Sequence, residues 1–193
     1  MPHLRSPSLP ASLLRLLLCL ASGLLLACGR VDSGLPAGGD FILQTADGPL
    51  DTRTLRGQLV LLYFGYTNCP DICPTSLAAG AQVLKALTPE ERSKVRLLMI
   101  SVDPGRDSPS HLKEYTAFFH PEMIGATTKP EEIAALAKAY GAAYIKHPAQ
   151  ADGSYLVDHT TATYVIAPDG RLVAVLDLTA SVETLVSTVR KWL

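Results

Sequence analysis

The chain has 193 residues, a formal net charge of −1, four cysteines and 48% hydrophobic residues. This length is enough for one domain with a sizeable core. The charge is close to balanced and the sequence has no basic stripe, so nucleic acid is excluded as an expected partner.

Residues 1–27 are predicted to be a signal peptide of the lipoprotein type. Arg5 and Arg15 precede an apolar run from Leu16 to Ala27. This run is too short to span a membrane as a helix, and a charged segment followed by an apolar one is typical of a secretory signal. Its last residues, Leu25-Leu26-Ala27-Cys28, resemble the bacterial lipoprotein box, in which the cysteine is acylated. The alternative is an ordinary signal cut nearby that leaves Cys28 as a free thiol.

This prediction divides the chain into a signal peptide (1–27), a lipid-anchored flexible tether (28–40) and a folded domain (41–193). The protein is then exported and held at a membrane, facing the periplasm or the cell exterior. Cys19 leaves with the signal and Cys28 carries lipid, so the domain keeps only Cys69 and Cys73. Two cysteines four positions apart indicate reactivity or metal binding rather than a disulfide framework.

Apolar periodicity, turn residues and capping residues predict the elements of the domain. In chain order they are a hairpin over 41–52, a buried strand over 59–64, a helix from Cys73 to Leu87, a short helix from Thr88, a buried strand over 95–102, helices from Ser108 to Phe119 and from Thr128 to Gly141, an edge strand over 143–146, a hairpin with strands 161–166 and 172–176, and a closing helix from Ser181. This order predicts an α/β, thioredoxin-like three-layer fold with an N-terminal hairpin and an inserted helix.

The cysteine turn lies between the first core strand and its helix, where a thioredoxin-like fold keeps its active site. The helix N-terminus favours thiolate over thiol, and Pro70 and Pro74 stiffen the loop. Cys69 and Cys73 therefore suit either a redox disulfide or a soft metal, with copper as the leading candidate. The three residues between them favour the metal. A plain stabilising disulfide is a third alternative, although so small a loop removes little chain entropy.

Two thiolates rarely complete a metal site, so a third ligand is expected among the histidines of the domain. The candidates are His111, His120, His147 and His159. His159 is favoured because the predicted layout brings its strand next to the cysteine turn. The neighbouring Asp158 is either a partner of the imidazole or a surface acid. A Cys2His set with an exchangeable position suits copper better than a closed structural zinc site.

Another turn, Asp103 to Asp107, follows the second buried strand. It is either a docking surface for a partner or a tight turn that supplies a helix cap. A thiol peroxidase would also fit the fold, but the Asp158-His159 pair has no evident use in that reaction.

Three motifs resemble the Sco/SenC family of copper-binding assembly factors. They are Phe64-Gly65-Tyr66-Thr67-Asn68-Cys69-Pro70-Asp71-Ile72-Cys73-Pro74-Thr75, Ile100-Ser101-Val102-Asp103-Pro104-Gly105-Arg106-Asp107-Ser108-Pro109 and Tyr155-Leu156-Val157-Asp158-His159. The match runs from about Phe41 to Leu193. It departs from the family at Thr127-Thr128, where Thr-Gly is common, and in using lipid where other members often have a membrane-spanning helix.

The resemblance implies a thioredoxin-like fold with copper, as Cu(I) or Cu(II), ligated by Cys69, Cys73 and His159. It also implies a metallochaperone that helps assemble the CuA centre of cytochrome c oxidase, with the CuA-bearing subunit as acceptor and another copper chaperone as a possible donor. The alternative is a thiol–disulfide oxidoreductase that keeps the cysteines of that centre, or of other exported proteins, reduced.

Overall fold

A computed structural model of the protein describes residues 34–177 and 180–193. The predicted signal peptide, Cys28 and the first part of the predicted tether lie outside the described residues. A compact unit begins at Leu35 and runs to Leu193. Within the described ranges, no helix has both the length and the apolar character that crossing a membrane requires.

Nine strands and five helices make up the described part of the chain. The strands are β1 (Ile42–Thr45), β2 (Gly48–Asp51), β3 (Leu59–Gly65), β4 (Val95–Ser101), β5 (Ile124–Ala126), β6 (Tyr144–Lys146), β7 (Val157–His159), β8 (Thr163–Ile166) and β9 (Leu172–Leu176). The helices are α1 (Ile72–Ala86), α2 (Pro89–Ser93), α3 (Pro109–Phe119), α4 (Pro130–Ala139) and α5 (Val182–Trp192), and a 3-10 helix covers Thr52–Leu55.

The main sheet has the strand order β5-β4-β3-β8-β9. Its central strand β3 is apolar and buried at all seven positions, as expected for a strand covered on both faces. Strands β4 and β5 run parallel to its direction, whereas β8 and β9 form an antiparallel hairpin beside it. This arrangement confirms the predicted thioredoxin-like α/β fold. Strand β3 delivers the cysteine turn at its carboxyl end, where Gly65 pairs with Ser101.

Three of the predicted helix starts are confirmed by their caps. Thr88 and Glu91 form a reciprocal capping box at the start of α2. The Ser108 hydroxyl accepts a hydrogen bond from the His111 N–H, and the Ser181 hydroxyl accepts one from the Thr184 N–H, each at 3.2 Å. Each contact satisfies a backbone donor that has no partner within its helix.

The predicted edge strand over 143–146 is confirmed as β6, which pairs with β7 in a separate two-stranded sheet. Two other strand predictions need correction. His159 ends β7 and does not open the next strand, which begins at Thr163. Strand β5 was not predicted at all, because Ile-Gly-Ala shows no strand periodicity.

The close packing of α3 against β5 depends on Gly125. A β-carbon at this position would lie 2.6 Å from the carbonyl oxygen of Leu112, which is backbone and cannot rotate away. By contrast, a β-carbon at Gly80 in α1 would meet only methyl groups of Leu97, at 3.4 and 3.5 Å.

We expect Gly125→Ala to lower the free energy of unfolding by about 1–3 kcal/mol or more, because one of two packed backbones must move. Gly80→Ala is the matched control and should be neutral or stabilising by up to about 1 kcal/mol, since alanine favours a helix interior. Urea unfolding of both variants measures the difference. Equal stabilities would contradict the packing argument.

Candidate metal centre

The two cysteines lie where β3 passes into α1. Cys73 is the second residue of α1 and is fully buried, whereas Cys69 lies in the preceding loop and is half-buried. The N–H of Cys73 donates to the Cys69 sulfur at 3.4 Å. Asp71, the residue at the helix cap position, forms no side-chain cap bond, so a sulfur takes that role. Both thiols are free in the described part of the chain.

His159 reaches this pair from the end of β7. Its Nε2 lies 3.2 Å from the Cys73 sulfur. Ligand atoms of Cys69, Cys73 and His159 all lie within 4.8 Å of one another, a spacing that one metal ion can bridge. The structure therefore brings together the three residues that the sequence proposed as ligands. The other candidate histidines, His111, His120 and His147, are not part of this group.

One hydrogen bond sets the tautomer of His159. Its Nδ1 lies 3.1 Å from the carbonyl oxygen of Thr160, which can only accept, so Nδ1 carries the proton. The lone pair of the neutral ring is therefore on Nε2, the nitrogen that faces Cys73. A backbone carbonyl thus orients the imidazole as a ligand.

Asp158 does not form this contact, although the sequence offered it as the partner of His159. Its carboxylate lies 2.8 Å from Nε2 of His147, on the outer face of the β6–β7 sheet. Neighbouring residues of a strand point to opposite faces, so Asp158 cannot share the inner face with His159. It acts on His159 only through its charge and is otherwise a surface acid.

Burial has opposite effects on the pKa values of Cys73 and His159. It raises the pKa of the Cys73 thiol, and a hydrogen bond from the backbone of Tyr66 only partly opposes this. Burial lowers the pKa of the His159 imidazole, against the smaller effects of the Thr160 carbonyl and the charge of Asp158. Both shifts favour neutral side chains when no cation is present. A bound metal ion would supply the positive charge that a buried thiolate needs.

Tightly packed walls fix the positions of these donors. The rings of Tyr63 and Tyr66 stand edge-on to the imidazole, at centroid distances of 6.0 and 5.9 Å. A β-carbon at Gly65 would lie 2.9 Å from both the Cys73 sulfur and the Tyr63 ring. Only glycine leaves room here for the sulfur to lie against the end of β3.

Asp107 anchors the cysteine loop, a role that the sequence analysis missed. Its carboxylate is fully buried and accepts hydrogen bonds from the backbone N–H of Thr67 at 3.0 Å and the Thr67 hydroxyl at 2.5 Å. It also accepts one from the Ser101 hydroxyl at 2.6 Å. The available signal was topological, because loops that follow neighbouring parallel strands meet at one edge of the sheet.

The turn from Asp103 to Asp107 therefore stabilises the site through buried hydrogen bonds. Asp103 is 4% exposed and pairs with the Arg106 guanidinium, and it accepts a hydrogen bond from the Tyr155 hydroxyl at 2.8 Å. Of the two interpretations of this turn, buried acids favour a structural turn over a docking surface. Ser108, just after it, supplies the helix cap.

Fold and site together define a thioredoxin-like protein with a Cys2His donor set at the carboxyl end of its central strand. The profile of the SCO1/SenC family matches residues 31–193, and the chain belongs to this family.

Three relatives show the extent of the similarity. The mitochondrial SCO2 homolog of Bos taurus is 39% identical over 155 residues, which cover 79% of this chain but only 58% of that protein. The structure of Bradyrhizobium japonicum ScoI with copper bound is 37% identical with a TM-score of 0.74, covering 81% of this chain and 99% of that one. BsSco is 26% identical with a TM-score of 0.65, over 81% of this chain and 93% of that one. It is described as carrying a disulfide switch and as a member of the Sco family of cytochrome c oxidase assembly proteins.

We expect Asp107→Ala to lower the free energy of unfolding by about 3 kcal/mol and to increase the labelling rate of Cys73 by a thiol reagent. The substitution removes the acceptor of the Thr67 N–H and of the buried Ser101 hydroxyl, and it releases the cysteine loop. Urea unfolding and mass-spectrometric labelling of the metal-free protein measure the two effects.

Asp71→Ala is the matched control, since it removes an exposed carboxylate from the same loop without breaking a side-chain cap bond. It should leave both stability and labelling close to the wild-type values. If Asp107→Ala behaves like this control, Asp107 does not anchor the loop.

Proposed function

We propose that this protein is a copper metallochaperone that helps assemble the CuA centre of cytochrome c oxidase. The observation that carries the proposal is the triangle of donor atoms from Cys69, Cys73 and His159. Membership of the SCO1/SenC family supports it, as does the copper-bound structure of the Bradyrhizobium japonicum relative. Copper is cargo in this function, taken up from a donor and passed on by ligand exchange.

The chemistry of the donor set fits copper in both oxidation states. Two thiolates are soft ligands that favour Cu(I), and an imidazole nitrogen with a free lone pair allows Cu(II) to bind as well. Among the residues that the structure describes, the group of possible metal ligands has three members. A structural zinc site needs four protein ligands, whereas a site of three leaves a position through which an acceptor can enter.

The partners and the location follow from the same proposal. The acceptor is the CuA-bearing subunit of cytochrome c oxidase, and a second copper chaperone serves as donor. Cys28 carries the lipid that holds the domain at a membrane after residues 1–27 are removed. The part of the tether before Leu35 lets the domain reach its partners in the periplasm or at the cell exterior.

A thiol–disulfide oxidoreductase is the second candidate. Both thiols are free, and the Cys69 sulfur lies at the N-terminus of a helix, where it accepts the N–H of Cys73. The disulfide switch described for BsSco also favours this chemistry. Exchange would begin at the half-buried Cys69, whose sulfur attacks a target disulfide, and the buried Cys73 would then resolve the mixed disulfide. The same sulfurs would serve both functions.

We expect the purified protein to bind Cu(II) with a sulfur-to-copper charge-transfer band in the visible spectrum. His159→Ala should weaken Cu(II) binding by at least about 100-fold, because loss of even an outer partner of a ligand costs about 10–100-fold. His147→Ala is the control, since this histidine lies in the same two-stranded sheet region but pairs with Asp158. The metal proposal fails if no band forms, or if His159→Ala and His147→Ala bind copper alike.

Disulfide exchange separates the second candidate from the first. An oxidoreductase keeps its activity toward a CuA-domain disulfide in His159→Ala and loses it in Cys69→Ser, since only the thiols take part. For a metallochaperone, His159→Ala should prevent loading of a reduced CuA domain with Cu(II). Reduction and copper loading of the same acceptor domain, measured side by side, distinguish the two functions.

A further inference from the structure

His159 is carried by a hairpin with little apolar support of its own. This hairpin, residues 144–159, consists of β6, β7 and the loop between them. Val157 is its only buried residue, whereas Ile145 is 65% exposed and Leu156 is 48% exposed. Besides Val157, only Tyr144 and Tyr155 of the hairpin pack, partly buried, against the hydrophobic core, so the hydrophobic effect holds the hairpin less firmly than the strands of the main sheet.

Arg106 holds the hairpin by polar contacts. Its Nη1 donates to the carbonyl oxygen of Tyr155 at 3.0 Å, and its guanidinium lies 3.5 Å from the centroid of the Tyr155 ring. The Nε of the same guanidinium donates to the buried carboxylate of Asp103. One side chain therefore joins the loop after β4 to the hairpin through a hydrogen bond and a stacked ring.

Two further hydrogen bonds complete this connection. The Tyr155 hydroxyl donates to the second carboxylate oxygen of Asp103 at 2.8 Å. Two residues along, the N–H of Val157 donates to the Tyr66 hydroxyl at 3.3 Å. We call Arg106, Asp103 and Tyr155 the Arg106 clasp.

The clasp and the main sheet hold His159 from opposite sides. After His159 the chain enters β8, where Thr163 pairs with Tyr63 of the central strand. Before His159 the chain is fixed at Tyr155 and Val157. If the clasp opened, only Val157 and its bond to Tyr66 would still hold this side of the hairpin, so the hairpin could shift and move Nε2 from its position 3.2 Å from the Cys73 sulfur.

We propose that Arg106 is a positioning residue for the copper site, because through the Arg106 clasp it holds the hairpin so that His159 faces Cys73. This inference rests on the proposed function. Arg106 is not a ligand. It positions the hairpin so that the imidazole of His159 can bind the same copper ion as the two thiolates. Binding that needs His159 depends on the clasp, whereas binding by the thiolates alone does not.

Lysine cannot replace arginine in this role. A guanidinium is planar and presents several donors in a fixed fork, so it can bond Asp103 and Tyr155 while lying over a ring. An ammonium retains the positive charge beside the buried Asp103 but not the fork or the flat stacking surface. Arg106→Lys therefore tests the geometry of the clasp without changing the charge near the metal.

Lys146→Met is the matched control. The ammonium of Lys146 lies 3.8 Å from the centroid of the same Tyr155 ring, and within the described ranges it has no hydrogen bond or ion pair. Its removal takes a cation from the ring but leaves the clasp intact. Lower positive charge near the site cannot weaken the binding of a cation, so this variant should bind copper as well as the wild type.

Equilibrium titrations with Cu(II) and, with a competing chelator, with Cu(I) test the proposal on the full chain. We expect Arg106→Lys to weaken Cu(II) binding by about 10–100-fold and to reduce the sulfur-to-copper charge-transfer band. Cu(I) affinity should stay within about threefold of the wild-type value, since two thiolates suffice for this ion. Lys146→Met should match the wild type in both titrations.

Equal weakening of both oxidation states would overturn the proposal, because it indicates a general structural role. Unchanged Cu(II) binding would overturn it too. Tyr155→Phe is a second test if Arg106→Lys does not fold: it removes only the bond to Asp103 and should weaken Cu(II) binding to a smaller, still selective, extent.

A metal-free readout separates this inference from the proposed function. In the wild type, modification of His159 by diethyl pyrocarbonate should be slow relative to the exposed His111, because the imidazole is half-buried and its Nε2 lies 3.2 Å from the Cys73 sulfur. Arg106→Lys should raise the relative rate at His159 several-fold, as mapped by mass spectrometry. An unchanged rate overturns the positioning role, whereas a wild-type protein that binds no copper contradicts the proposed function instead.

Discussion

The buried carboxylate of Asp107 is the constraint on which the site depends. A charge without solvent is costly unless hydrogen bonds satisfy it, and here Thr67 and Ser101 supply three. These bonds tie the cysteine loop to the end of β4, so the two neighbouring parallel strands end in one connected structure. The cysteines thereby lie at the start of α1 on a loop that hydrogen bonds to Asp107 hold in place.

The sequence predicted the parts of the molecule that local patterns specify. Continuous apolar runs marked β3 and β4, and the capping residues Thr88, Ser108 and Ser181 marked three helix starts. These features depend on burial and on backbone donors within a few residues. The proposed ligands could also be predicted. Only one pair of cysteines remains in the folded domain, and the expected topology favoured one histidine.

Features that depend on contacts between distant segments could not be predicted. Strand β5 packs closely against α3 because Gly125 lets the backbone of Leu112 approach, and no residue near it in the sequence indicates this contact. The pairing of β6 with β7 spans a loop of ten residues, so the sequence predicted the strand at 143–146 but not its partner. From its place beside His159 in the sequence, Asp158 was interpreted as either a partner of the imidazole or a surface acid, but strand geometry directs the two side chains to opposite faces.

The depth of Cys73 has a consequence for how cargo could leave the protein. Its sulfur has no exposed surface, while Cys69 and His159 are half-buried, so a group that takes over a metal ion must approach from their side. In the proposed function, handover would therefore be directional, with the bonds to Cys69 and His159 replaced first and the bond to Cys73 broken last. The fold, rather than the acceptor, would then set the order of the steps.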